Sequence, residues 1–303
     1  MDMEKVPGGG PGSGPGSGSM PPALPTVRLG TAEVSRLIIG GNPFSGNSHV
    51  NGEMDREMID YFTLANIKHT LFRCMENGIN TMLLRMDEHI MRMIHEFRAE
   101  GGRMHWIAQT APEMGSLEGN IARAMRLKPV AIYHHGTITD HYYKRQEFGE
   151  LRRRLEIIRK TGLPVGLGTH MPEVVRYAEE NGLGADFYML SVYNLSRADR
   201  VSSAVTGIAN SNEPFFEEDI PVMYQTLRSV DKPCLAFKIL GSTRRCSTQE
   251  AVRAAFDEAF ASIKPTDAVV VGMFPRDLDQ PALNSRYTRE AIQKAADSRH
   301  ASG

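Results

Sequence analysis

Three histidines fall where two short apolar runs end. Residues 129–133 run into His134 and His135, and residues 164–167 lead through Gly168 and Thr169 to His170. Neutral imidazole suits Zn, Fe, Ni or Cu, and a catalytic metal keeps an open position beyond its protein ligands. A divalent metal held by His134, His135 and His170, completed by Asp140 or His141 in the following loop, is one candidate centre. Neighbouring residues on a strand point to opposite faces, so His134 and His135 do not both aim inward unless Gly136 bends the chain. HxH and HExxH spacings are absent. The competing reading is a hydrogen-bonded histidine pair lining a ligand pocket.

Cations share this edge. Lys238 lies in the apolar run LAFKILG, where a desolvated amine can form a Schiff base, or serve as a satisfied cation near a ligand carboxylate. Arg85 ends another apolar run, and with Lys238 and Arg244 it makes a cationic rim suited to an anionic or polyhydroxylated ligand. Of the acidic residues nearby, Asp87 and Glu88 open one helix and Glu173 another, where carboxylates stabilise the N-terminus. No carboxylate pair is placed at glycosidase-like separation.

A repeated strand–helix unit must position these side chains. Strands are expected at 34–39, 79–85, 104–109, 129–133, 164–167, 185–192, 233–240 and 267–273. Helices are expected at 55–77 (capped by Asp55, ended by Gly78), 88–99, 116–127, 146–161, 172–181, 218–230, 247–263 (opened by a Ser247–Glu250 capping box) and within 277–296. This alternation over about 265 residues is close to the ~250 of a (β/α)8 barrel, whose strand C-termini carry ligands and chemistry. The expected fold is α/β, one (β/α)8 TIM barrel over 20–300. Residues 1–19, nearly all Gly, Pro and Ser beyond the first few, read as a disordered linker or tag. The segment 196–217 is long for a barrel loop and reads as a lid, with Pro214, Phe215 and Phe216 either closing over a ligand or stapling the next helix.

Composition excludes several partners. A net charge of −1 with interleaved signs gives no polybasic run for nucleic acid or an anionic membrane. No apolar run approaches the roughly 18 residues of a membrane span. The three cysteines form no CxxC pair, which points to a reducing, cytoplasmic compartment. A small-molecule substrate is the remaining partner; nothing sets an oligomeric state.

Several segments, in order, resemble the aldo-keto reductases: LGTAEVSRLIIGGNPFSG at 29–46, ENGIN at 76–80, the His of the fourth strand, GLGTH at the end of the fifth, and YNLSR at 193–197. The resemblance covers about 27–290 and implies a barrel that reduces carbonyls with NADP(H) through Asp, Tyr, Lys and His. The His carries over to His135, or to His134 if the register slips by one. Leu83 stands at the Asp position, RMDEHIMRM holds no Tyr, and Gln109 or Thr110 occupies the Lys position. Without the carboxylate and Lys, the usual lowering of a Tyr pKa cannot operate. For the cofactor, Tyr193 matches the ring that stacks on nicotinamide, and Asn194 and Arg197 continue that motif. Leu283-Asn284 stands where the phosphate-binding segment ends, with Arg276 nearby. Loops 241–245 and 274–276 offer Arg244, Arg245 and Arg276 to a diphosphate, or carry them as solvated surface charges.

Three functions follow as alternatives. The first is an aldo-keto-reductase-like oxidoreductase acting on a carbonyl or sugar-like molecule, with His135 polarising oxygen. The second is a metal-dependent hydrolase, lyase or isomerase using the strand-end histidines. The third is a non-catalytic ligand-binding barrel.

Overall fold

The computed structural model describes residues 23–197, 199–200, 202, 205 and 213–301. A two-stranded antiparallel hairpin, β1 (Thr26–Leu29) and β2 (Ala32–Ser35), precedes eight parallel strands. These are β3 (Leu37–Gly40), β4 (Thr81–Arg85), β5 (His105–Gln109), β6 (Ala131–His134), β7 (Val165–Thr169), β8 (Phe187–Ser191), β9 (Cys234–Phe237) and β10 (Ala268–Gly272). They pair in chain order, and β10 closes on β3 through Val269 opposite Leu37 and Val271 opposite Ile39. The expected (β/α)8 barrel is the observed one.

Period-two alternation sorts the strand residues into two cores. Ile38, Leu83, Ile107, Tyr133, Phe187, Leu235 and Val270 fill the barrel interior. Their neighbours Ile39, Leu84, Trp106, Ile132 and Leu167 face the helices. Val27, Leu29, Ala32 and Val34 of the hairpin join the interior cluster. Ser35 N–H donates to Asn80 Oδ1 at 2.7 Å, at the start of β4, so the hairpin covers the N-terminal end of the barrel. The expected first strand, 34–39, is therefore two strands broken at Arg36. That buried guanidinium donates to Asp267 O (2.8 Å) and Lys264 O (2.9 Å), tying the break to the start of β10.

Ten helices are described: α1 (Gly52–Tyr61), α2 (Leu64–Glu76), α3 (Glu88–Ala99), α4 (Leu117–Met125), α5 (Gly136–Lys144), α6 (Phe148–Arg159), α7 (Pro172–Glu180), α8 (Ile220–Arg228), α9 (Gln249–Ser262) and α10 (Gln280–Ala301). The last, expected within 277–296, runs on to Ala301, and two others depart further from expectation. The helix foreseen over 55–77 is α1 and α2, because Thr63 caps a fresh start by accepting from Asn66 N–H. Asn51, not Asp55, caps α1, and Asp55 accepts from Ser48 N–H instead. The segment 136–144, read as loop, is α5. Its first residue is Gly136, packed tightly on β7: a Cβ there would lie 3.2 Å from Thr169 N and 3.4 Å from His170 Cε1. Similarly, Thr248 rather than Ser247 caps α9. Among the described residues no helix is long and apolar enough to cross a membrane.

Gly166 is where β7 makes room for its neighbours inside the barrel. A Cβ there would meet Phe187 Cζ at 2.3 Å and Tyr133 Cβ at 2.4 Å. Both neighbours are locked in a close-packed interior, so Gly166→Ala is expected to cost about 3 kcal/mol, measured by urea unfolding. A loss below about 1 kcal/mol would show that the interior repacks freely.

Candidate functional site

Alternation along β6 decides between the two adjacent histidines. Tyr133 faces the interior, so His134 faces outward and His135 points to the mouth. His134 is fully buried against α6: Arg154 Nε–H donates to its Nε2 at 3.0 Å. The proton is therefore on Nδ1, which donates to Thr139 Oγ1 at 2.8 Å, and that hydroxyl donates on to His135 O at 3.1 Å. Burial first, then Arg154 and His135, push the His134 pKa down to about 3. His134 is thus a neutral structural imidazole, and the metal set of His134, His135 and His170 is not assembled. Among the described residues no group of three or more His, Cys, Asp or Glu side chains is placed to hold a metal ion.

His135 is held at the mouth by its backbone N–H, which donates to Thr110 Oγ1 at 2.9 Å. Its Nδ1 is enclosed without a hydrogen-bond partner. Burial, then the Arg85 guanidinium and His170, lower its pKa to about 3. An orphaned lone pair is less costly than an orphaned N–H, which favours the proton on Nε2. His135 is accordingly a neutral donor.

The best-defined pair is one that sequence spacing did not isolate. Asp140, fully buried in α5, accepts from His170 Nδ1 at 2.8 Å and from the His170 backbone N–H at 3.1 Å. It also accepts from the hydroxyls of Thr169 and Ser196. These bonds fix the imidazole with its proton on Nδ1 and leave Nε2 as the basic nitrogen. The His170 ring packs edge-to-face on Phe237, the last residue of β9, at 5.4 Å. Such an arrangement, a buried carboxylate orienting a histidine, has the geometry general acid–base chemistry requires.

A second cluster completes the mouth. Glu213, buried, receives His49 Nδ1 at 3.0 Å and Lys238 Nζ at 3.4 Å on the same oxygen, Oε2. His49 Nε2 faces Asn42 Nδ2 at 3.1 Å. Burial and then Lys238 lower the His49 pKa, against the pull of Glu213. Lys238 also lies 3.3 Å from Ser242 Oγ, which is 3.4 Å from the Tyr193 hydroxyl. His49 (φ 59°), Lys238 (65°), Ser242 (48°) and Thr243 (76°) all adopt left-handed backbone, which costs about 1 kcal/mol or more per non-glycine residue. Arg244 holds these turns together by donating to His49 O (2.7 Å), Ser242 O (2.9 Å) and Glu213 O.

The expected cationic rim is engaged within the protein. Arg85 pairs with Glu113, Lys238 with Glu213, and Arg244 is occupied by carbonyls. The groups named for NADP(H) are similarly engaged. Arg197 is exposed and paired with Asp199 at 2.8 Å. Arg245 pairs with Glu258 at 2.6 Å, and Arg276 with Glu57 at 3.0 Å. Asn194 Oδ1 accepts from Ser196 N–H and shapes a turn, while Asn284 is buried in α10. The Tyr193 ring carries Phe215 packed perpendicular to it, with centroids 5.1 Å apart. A dinucleotide held in the manner the resemblance implies would have to displace the carboxylates paired with Arg197, Arg245 and Arg276. Leu83, at the position of the reductase carboxylate, fills the barrel interior.

Asp140, Thr169, Ser196, His49 and Glu213 are the site residues that sequence reasoning missed or misplaced. Asp140, expected in a loop as a possible metal ligand, lies in α5. GLGTH did mark the strand end that carries Thr169 and His170, but no periodicity signals that an acidic residue in α5 lies beneath it. His49 and Glu213 sit in turn-rich loops distant in sequence.

Fold and mouth together define a (β/α)8 barrel with a histidine-lined mouth whose charged groups are engaged within the protein. No family model matches the chain, and no curated protein sequence matches it. Its structure is similar to glycerol dehydrogenase AKR11B4 from Gluconobacter oxydans, at 11% identity and a TM-score of 0.51, covering 90% of this chain and 94% of that one. It is also similar to the apo form of Gox0644, at 8% identity and a TM-score of 0.54, again covering 90% and 94%. The likeness is one of fold.

Proposed function

We propose that this chain is an aldo-keto-reductase-like barrel enzyme that moves protons at a carbonyl or sugar-like small molecule. His170 Nε2 takes a proton from the carbon next to the carbonyl, and the neutral His135 donates a hydrogen bond to the carbonyl oxygen. A neutral imidazole suits that second role, because it stabilises developing negative charge without being titrated at working pH. The observation that carries the reading is the buried Asp140 carboxylate on His170 Nδ1. A side chain needed only for packing would not require a buried anion with so many convergent donors.

The test is solvent exchange. Small aldehydes, ketones and aldoses are incubated with the protein in D2O, and loss of the α-hydrogen signal is followed by proton NMR. At least one compound is expected to exchange with the wild type and not with His170→Gln. Exchange equal in both, or none across the three classes, would overturn the reading.

A further inference from the structure

We propose that Lys238 is an imine-forming amine for a small aldehyde or ketone; this rests on the reading that the mouth handles a carbonyl compound. The ammonium is largely enclosed, with 8% of the side chain exposed, and lies 3.4 Å from Glu213 Oε2 and 3.3 Å from Ser242 Oγ. Ser242 links it to the Tyr193 hydroxyl. His49, which shares Glu213 Oε2 with Lys238 and is also acted on by His170, stands between them, so amine and base belong to one mouth. Lys238 falls just beyond β9, not within it, at a backbone angle that glycine would adopt without strain. A lysine kept in a strained position marks a side chain that is needed there.

The step balances without any added oxidant or reductant. The ammonium passes one proton to the Glu213 carboxylate, and the Nζ lone pair attacks the carbonyl carbon. The C=O π pair moves to oxygen, which takes up a proton as nitrogen loses one, giving a carbinolamine. Glu213 then returns its proton to the hydroxyl, water leaves, and the nitrogen lone pair forms the protonated C=N bond. Ammonium plus carbonyl has become iminium plus water, so the cation beside Glu213 is conserved. The iminium draws electrons from the neighbouring C–H bond that His170 attacks, and hydrolysis returns the free amine.

The experiment is reductive trapping on the full chain. Glyceraldehyde, dihydroxyacetone and pyruvate are each added with sodium borohydride, and the adducts are mapped by peptide mass. Lys238 is expected to label roughly a hundredfold faster than the exposed Lys160 and Lys294, with Glu213→Gln slowing it by a comparable factor. Lys238→Arg should lose that adduct while keeping the wild-type melting curve. Labelling that follows exposure, Lys238 left unlabelled by all three probes, or an unchanged rate in Glu213→Gln would overturn the proposal. α-Hydrogen exchange without a Lys238 adduct would refute the imine alone. An adduct in a protein that exchanges no α-hydrogen would refute the acid–base reading instead.

Discussion

His170→Gln is expected to lower α-hydrogen exchange by about 10⁴-fold, and Asp140→Asn by nearly as much, with the double variant no worse than the first. The reason lies in what the carboxylate accepts. Asp140 takes hydrogen bonds from His170 Nδ1, the His170 backbone, Thr169 and Ser196. An asparagine keeps the volume but replaces one acceptor oxygen by an NH2 group. If that NH2 faces His170, the imidazole must accept on Nδ1 and carry its proton on Nε2, the wrong nitrogen for a base. If it faces the other way, the Thr169 hydroxyl loses its acceptor. Either orientation leaves buried donors unmatched, so Asp140→Asn is also expected to lose about 2–3 kcal/mol of stability. Urea unfolding and the exchange rate measured on the same preparation separate the two effects. An Asp140→Asn protein with wild-type exchange would show that the pair is only a structural hydrogen bond.

Acid is expected to weaken the fold well before the carboxylates titrate. His134 and His135 have folded pKa values near 3, against 6.5 for the unfolded side chain. The unfolded chain therefore binds protons that the native chain refuses. The stability these residues preserve is complete above about pH 6.5, falls as the pH drops, and stops falling near about pH 3. At about pH 5 the loss is about 2 kcal/mol for each histidine, or about 4 kcal/mol together. The urea midpoint at about pH 5 should lie well below that at about pH 7.5, with most of the drop retained at high salt because its main cause is desolvation. Equal midpoints would mean that one or both imidazoles accept a proton in place.

Much of the barrel is legible in the sequence because each strand carries its own evidence. The run VAIYH is apolar on both faces, as a strand enclosed on both sides must be. α3 spans the expected 88–99, since Asp87 caps it by accepting from Ile90 N–H. The breaks were not legible. Splitting 55–77 needed the cap at Thr63 to outweigh a continuous helical pattern, and α5 was hidden because its inward side holds Gly136, Thr139 and Asp140 rather than large apolar residues. At the site, strand alternation already implied that only one of His134 and His135 could face the mouth, but the phase depends on which face Tyr133 presents. The charges misled for a related reason. Arg85, Lys238 and Arg244 are engaged within the protein, and the carboxylates that pair with the first two, Glu113 and Glu213, come from distant segments that only the fold brings together.

The hairpin built from Val27, Leu29, Ala32 and Val34 leaves the proposed site a single doorway. With the far end corked, whatever enters past the imidazoles must leave by the way it came. Departing product and arriving reactant therefore contend for the same vestibule. Accumulated product should slow turnover as a competitor of its own precursor, however fast the chemistry inside.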